Sequence, residues 1–287
     1  MIKINLPTPI EEFVFRGKRY FIKRDDLTHP FFSGNKARKL YYLFDKDLSN
    51  YKKIISHGSS QSNAMLSLSY LAKLKNLEFD YYTSHVSDFL KKNPHGNYKY
   101  SLENGMNIYE KSPPTNFRED ELFIPEGGYI KDAKIGIKML ALEIEKWCKE
   151  NKKEVDIFLP SGTGTTALFL QKNLPSLKVY TTSCVGGSEY LKKEFLGLCE
   201  DFTHHPTILK PSKKYHFAKL YRECFEIWQE LKLSGIEFDL LYDPIGWITL
   251  KENETIFNHE ILYIHQGGLL GNESMHPRYE RKYLNKT

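Results

Sequence analysis

The run Val155-Asp156-Ile157-Phe158-Leu159, leading through Pro160-Ser161-Gly162-Thr163-Gly164-Thr165-Thr166 into a helical stretch from Ala167 to Lys172, constrains this chain more than any other feature. Four of those first five residues are apolar and do not alternate with polar ones. Such a run reads as a strand covered on both faces, the habit of parallel sheets. A parallel strand needs a crossover to reach its neighbour, and the glycine- and threonine-rich segment is a strand-to-helix turn that begins one.

The same succession recurs along the chain. Lys53 to Gly58 is a short strand that runs into Ser59-Ser60-Gln61-Ser62-Asn63 and a helix from Ala64 to Lys75, and Phe79 to Thr83 is a further strand. Leu122-Phe123-Ile124 breaks at Gly127-Gly128 before a helix from Asp132 to Glu150. Leu177 to Cys184 precedes a helix from Glu189 to Leu198, and Glu260 to His265 ends in Gln266-Gly267-Gly268. Lys18 to Arg24 adds a strand near the start, and His216 to Leu233 a helix. Residues 85–120 are mixed and polar, with one strand around Asn107-Ile108-Tyr109. Strands alternating with helices imply an α/β protein with mostly parallel sheets.

In open parallel sheets, ligands bind at the carboxyl ends of strands, so the loops there are the candidates for function. The strongest is Ser161-Gly162-Thr163-Gly164-Thr165-Thr166, where backbone N–H groups, a helix N-terminus and hydroxyls together suit a phosphate. It is neither GxxxxGK[ST] nor GxGxxG. Gly58-Ser59-Ser60-Gln61-Ser62-Asn63 brings short polar side chains to a helix start, which suits a carboxylate and equally suits plain capping. Glu126-Gly127-Gly128 and Gln266-Gly267-Gly268 are turns when read alone.

Gly34-Asn35-Lys36 opens another helix, with Ala37, Leu40, Phe44 and Leu48 at helical spacing. A lysine in a first helical turn faces the positive end of the helix dipole, which lowers its pKa and leaves more of it as nucleophilic amine. A nucleophilic lysine, a phosphate cup and a carboxylate pocket in one chain point to a phosphorylated aldehyde cofactor that condenses with amino acids, pyridoxal phosphate (PLP).

Composition removes several other classes. The net charge of +5, from 41 basic and 36 acidic residues, is too mild for a nucleic-acid partner, and the lysine pairs read as solvated faces. Four widely spaced cysteines with no CxxC favour a reducing cytoplasm, and the ten histidines show no HExxH, so no metal site is expected. Met1 to Pro7 lacks the apolar centre of a signal peptide, and no apolar run is of membrane-spanning length.

Lys23-Arg24-Asp25-Asp26-Leu27, Gly34-Asn35-Lys36-Ala37-Arg38-Lys39-Leu40, Gln61-Ser62-Asn63, Ile124-Pro125-Glu126-Gly127-Gly128, Ser161-Gly162-Thr163-Gly164-Thr165, Tyr242-Asp243-Pro244 and Ile264-His265-Gln266-Gly267-Gly268-Leu269 stand in an order that spans most of the chain. In these segments the sequence resembles the 1-aminocyclopropane-1-carboxylate deaminase/D-cysteine desulfhydrase family of PLP enzymes. The resemblance implies a tryptophan synthase β-like fold (fold type II), with two open twisted sheets flanked by helices. It implies Lys36 as the Schiff-base lysine, Asn63 on the cofactor's phenolic oxygen, and Ser161, Gly162, Thr163, Gly164 and Thr165 around the phosphate. Gln266 falls at the pyridine nitrogen, and Ser62 with Gln61 at the substrate carboxylate. It also implies a homodimer acting on a small amino acid. We expect a large domain from 1–38 and 122–287, and a small one from 39–121.

Two departures bear on activity. The family carries a tyrosine where this chain has Gly246-Trp247, and no tyrosine near Tyr215 to Lys219 matches the second active-site tyrosine. The expected reaction is therefore β-elimination of the D-cysteine desulfhydrase kind ahead of cyclopropane ring opening. A racemase or β-replacement enzyme on the same scaffold, or a weakly active PLP-binding protein with a regulatory role, are the alternatives.

Overall fold

The computed structural model describes residues 3–32 and 34–284. Among the described residues ten strands and ten helices follow one another. The strands are β1 (Ile10–Phe15), β2 (Lys18–Arg24), β3 (Lys53–His57), β4 (Glu78–Thr83), β5 (Met106–Glu110), β6 (Glu121–Ile124), β7 (Val155–Ser161), β8 (Val179–Ser183), β9 (Thr207–Leu209) and β10 (Glu260–His265). The helices are α1 (Asn35–Leu40), α2 (Asn63–Leu74), α3 (Asp88–Lys92), α4 (Gly96–Glu103), α5 (Lys134–Asn151), α6 (Thr165–Asn173), α7 (Ser188–Leu198), α8 (Arg222–Leu233), α9 (Asp243–Glu252) and α10 (Asn272–Tyr283).

The strands form two sheets, one in the order β1-β2-β10-β7-β8-β9 and the other β5-β4-β3-β6. Every pairing is parallel except β1 with β2. The antiparallel pair is a hairpin, for Arg16 and Gly17 between the strands both take positive φ, the backbone a two-residue turn requires. β7, which contains the apolar run 155–159, is buried along its whole length. It lies between β10 and β8, with helices on both faces. Each sheet has its own apolar core, one built on Met65, Leu68, Phe79 and Tyr81, and a larger one around Phe158, Phe238, Trp247 and Tyr263.

Several boundaries differ from expectation. The Lys36 helix ends at Leu40 and continues as a 3-10 turn, although Leu43, Phe44 and Leu48 remain buried. Apolar spacing records which residues are covered, and irregular turns can cover them as well as a helix can. The helix expected from His216 begins only at Arg222, because Ala218 takes a left-handed φ of 58° that no helix accommodates. β1, β9, α3, α4, α9 and α10 stand where no strand or helix is expected from the sequence. The sheet that begins at β3 continues past residue 121, since β6 pairs with β3 from Glu121 opposite Lys53 to Ile124 opposite Ser56.

Candidate active site

Loops at the carboxyl ends of both sheets converge on a cleft of about 270 Å³, at the small end of small-molecule sites. Lys36 and Lys39, the Ser59–Asn63 loop, the Ser161–Thr166 loop and Gln266 all line it. Every site residue expected from the sequence thus lines this one cleft.

Lys36 sits in the first turn of α1, and Gly34 is what allows α1 to start there. A Cβ at Gly34 would come within 2.2 Å of the Gln266 carbonyl oxygen, which accepts the Asn35 N–H at 3.0 Å. The Gln266 side chain completes the clamp, its Nε2 donating to the Pro160 carbonyl at 2.6 Å and its Oε1 accepting from Asn35 Nδ2 at 3.1 Å. The ends of β10 and β7 are in this way tied to the start of α1. The half-buried Lys36 Nζ donates to Asn35 Oδ1 at 3.1 Å. Desolvation pushes its amine down to about 8, against the opposing pull of Asp239.

Across the cleft α6 begins at Gly164, in the left-handed region at φ 73°, and no side chain caps its first turn. Thr163 Oγ1 and Thr165 Oγ1 lie 3.0 Å apart, and the buried Thr166 Oγ1 has no partner. Uncapped N–H groups and three hydroxyls, one of them buried and orphaned, are what a phosphate would satisfy. Lys39, one helical turn after Lys36, sends its ammonium to Thr163 Oγ1 at 3.2 Å and to the Gly127 carbonyl at 3.0 Å. Desolvation and the neighbouring Lys36 hold its pKa well below the usual lysine range, so an anion here would relieve a buried cation. The residues present fit a phosphorylated aldehyde, with the phosphate at α6 and the carbonyl toward Lys36.

The other expected residues are placed as follows. Asn63 Oδ1 accepts from Asn97 Nδ2 at 2.8 Å, which leaves its own Nδ2 donors for the cleft. Ser62 caps α2, accepting from Ala64 N at 3.1 Å and Met65 N at 3.4 Å, while its hydroxyl hydrogen remains free to donate. Gln61 is engaged with α4, donating to the His95 carbonyl and accepting from Tyr98 N. Ser161 Oγ is paired with Thr181 Oγ1 at 2.7 Å inside the sheet, so its backbone is what the loop offers.

Three features escaped the sequence reading. Lys39 had a signal, its position one helical turn after Lys36. Tyr242 stands in the segment Tyr242-Asp243-Pro244 with no role expected of it, and Asp239 had no signal, because it reaches the cleft from a loop before α9. A Cβ at Gly246 would lie 2.8 Å from the Tyr263 hydroxyl and 3.2 Å from Pro160, so that position has no room for a phenol. Trp247 is fully buried in the core. Of the 215–219 segment, Phe217 reaches the cleft and packs on Tyr242 at 5.4 Å, with no hydroxyl to offer.

No family model matches the chain. A protein of Thermotoga maritima, provisionally named a 1-aminocyclopropane-1-carboxylate deaminase, is 26% identical to it, over 92% of this chain and 95% of that one. The mitochondrial bifunctional D-cysteine desulfhydrase/1-aminocyclopropane-1-carboxylate deaminase of Arabidopsis thaliana is 27% identical, over 93% of this chain and 77% of its own. Among solved structures, an ACC deaminase homologue superposes with a TM-score of 0.77 at 20% identity, covering 98% of this chain and 95% of its own. The chain therefore has the fold type II architecture expected from its sequence, two mostly parallel sheets flanked by helices.

Proposed function

We propose that this chain, a member of the 1-aminocyclopropane-1-carboxylate deaminase/D-cysteine desulfhydrase family, is a PLP-dependent lyase that deaminates a small amino acid by β-elimination. The observation that carries the reading is the Lys36 amine, brought down to about 8 and opening on the same cleft as the uncapped, hydroxyl-lined start of α6.

Bound there, PLP supplies an aldehyde for covalent attachment and an electron-withdrawing ring that acidifies the substrate Cα–H. Lys36 would hold the cofactor through Nζ, and the same atom, as a free amine, would take the substrate's Cα proton as general base. The first turn of α6 and the threonine hydroxyls bind the phosphate, and Lys39 balances its charge. Asn63 Nδ2 donates toward the phenolic oxygen. Ser62 and the start of α2 hold the substrate carboxylate, with Gln61 fixing that loop. Gln266, neutral and already hydrogen-bonded at both ends of its amide, does not protonate a ring nitrogen. A weaker electron sink suits β-elimination, where a departing thiolate carries the charge away, and D-cysteine would then yield pyruvate, ammonia and sulfide. The crowding at Gly246 supports this over ring opening.

On the same reading we place the enzyme in the cytoplasm as a homodimer. The smaller unit begins near residue 39 and runs to Ile124, where β6 ends, and the flanking segments form the larger one. No helix among the described residues is long and apolar enough to cross a membrane.

Borohydride reduction with PLP, followed by peptide mapping, tests the assignment. A cofactor mass on the Lys36 peptide is expected, lost in Lys36→Ala, and its absence from wild type would sink the reading. Sulfide and pyruvate release from D- and L-cysteine, with racemisation followed by chiral separation, then distinguishes elimination from the other reactions this scaffold supports.

A further inference from the structure

Three carboxylates line the cleft, from Glu126, Asp239 and Asp243, and only one of them is both buried and open to a ligand. Asp243 is spent, since its Oδ1 accepts the Tyr263 hydroxyl at 2.6 Å and its Oδ2 the Asp239 N–H at 3.0 Å. Glu126 is not among the buried residues, and its carboxylate lies toward Gly58 and the Tyr81 hydroxyl. Asp239 is 3% exposed. Its Oδ1 accepts from Leu241 N at 2.8 Å and Tyr242 N at 2.6 Å, which fixes the carboxylate plane. No hydrogen bond among the described residues engages its Oδ2. That oxygen and Asn63 Nδ2 each lie 2.9 Å from where a Cβ at Gly268 would sit, so the two side chains that line the cleft come together over a glycine that has no room for a side chain.

We propose that Asp239 is a catalytic residue that docks the α-ammonium group of the incoming amino acid and accepts one of its protons. The proposal rests on the amino-acid lyase reading above. An amino acid arrives as its ammonium form, which has no lone pair with which to displace Lys36. In the step, one N–H bond of the substrate breaks and an O–H bond forms at Asp239 Oδ2. The substrate keeps the electron pair as a free amine, and Asp239 becomes a neutral carboxylic acid. The cleft also needs such a group on electrostatic grounds. Lys39 lines it as well, and its charge repels an arriving ammonium group unless a carboxylate offsets it.

The surroundings suit an acid that changes state near neutrality. Burial pushes the Asp239 carboxyl up to about 7, against the N–H groups of Tyr242 and Leu241 and the charge of Lys36. Burial also pushes the neighbouring Asp243 carboxyl, Tyr242 hydroxyl and Cys184 thiol up from their ordinary values, which disfavours further negative charge beside Asp239. A proton acceptor works best with a pKa close to the working pH.

The test compares binding of D-cysteine and 1-aminocyclopropane-1-carboxylate with that of 3-mercaptopropionate and cyclopropanecarboxylate, which lack the amino group. Holoenzyme reduced with borohydride is used, so that no exchange at Lys36 follows binding. Wild type is expected to prefer the amino compounds by roughly tenfold to a hundredfold, the strength of a charge-assisted hydrogen bond. Asp239→Asn, which keeps the Oδ1 acceptor for Leu241 and Tyr242, should abolish the preference and leave the deamino acids bound as before. Asp239→Glu should restore part of it. A wild type with no preference, or a preference that survives Asp239→Asn, overturns the proposal. Failure of the lyase reading shows separately, as no PLP on Lys36, and the binding comparison on the protein as purified still decides for or against Asp239.

Discussion

Lys36 and Lys39 illustrate how one element can place two like residues in different roles. Both are desolvated, but Lys36 has a carboxylate acting on it whereas Lys39 has only neutral oxygens and another cation nearby. Because the Lys36 pKa is lowered from 10.5 to about 8, its free amine accumulates as pH rises through 8 and is essentially complete above it. The rate at which apoprotein takes up PLP should therefore climb with pH and level off just above 8. Rapid-mixing absorbance measures this, and a rate still climbing at the pH of an ordinary lysine would contradict it. The position of Lys36 at a helix start and the hydroxyls of Thr163 and Thr165 were legible in local pattern. Asp239 was not, because nothing in Phe238-Asp239-Leu240 tells a buried carboxylate from one on the surface.

α1 is six residues long, too short to be stable by itself, so its position comes from what it packs against. Arg38, fully buried, donates to Asp25 through Nε and Nη2 at 3.0 and 2.8 Å and to Glu143 through both Nη atoms at 2.7 and 2.8 Å. Lys23 joins Glu143 at 2.6 Å. The network binds β2, α1 and α5 together. Burial works against the Asp25 charge, yet the Arg38 guanidinium overcomes it and holds the carboxyl below its ordinary range. Its contribution is accordingly complete above the ordinary carboxylate pKa and fades as pH falls through the lowered one. Asp25→Ala leaves Arg38 partly uncompensated and should cost about 3–5 kcal/mol in urea unfolding at pH 7. Gly136 on α5 is the other contact, since a Cβ there would meet the Arg38 carbonyl oxygen at 2.1 Å and Tyr41 Cβ at 2.7 Å. Gly136→Ala should cost about 1–3 kcal/mol and weaken PLP uptake by displacing Lys36. Unchanged uptake would show that α1 does not need this close approach.

The cleft draws on both sheets. The α6 loop leaves the six-stranded sheet at β7, the Ser62-Asn63 loop leaves the four-stranded sheet at β3, and α1 lies in the chain between β2 and β3. A ligand bound there holds the two sheets together, so it should stabilise more than its own loops. With PLP at a hundred times its dissociation constant, linkage adds about 2.7 kcal/mol, which raises Tm by about 4–5 °C for a chain of this size. Scanning fluorimetry should show this rise in wild type and a smaller one in Lys36→Ala, where only the phosphate contacts remain. No rise in wild type at saturating PLP would argue against a cofactor bridging the sheets.

Much of the architecture follows from short-range pattern alone. Unalternating apolar runs such as 155–159 made the sheets parallel, turn residues at their ends marked the ligand loops, and the start of a helix singled out Lys36. Elements whose signals conflict were lost. α10 carries Pro277 in its interior, and α9 begins at Asp243-Pro244, a start signal that also reads as a turn. Folding alone decided the rest: Gln266 clamping Asn35 and Pro160, the Tyr263 hydroxyl closing the space at Gly246, and Asp239 joining Lys36 in one cleft. These partners stand far apart in the chain. They meet because β10 inserts between β2 and β7, and a strand's place in a sheet depends on long-range pairing that no local periodicity encodes.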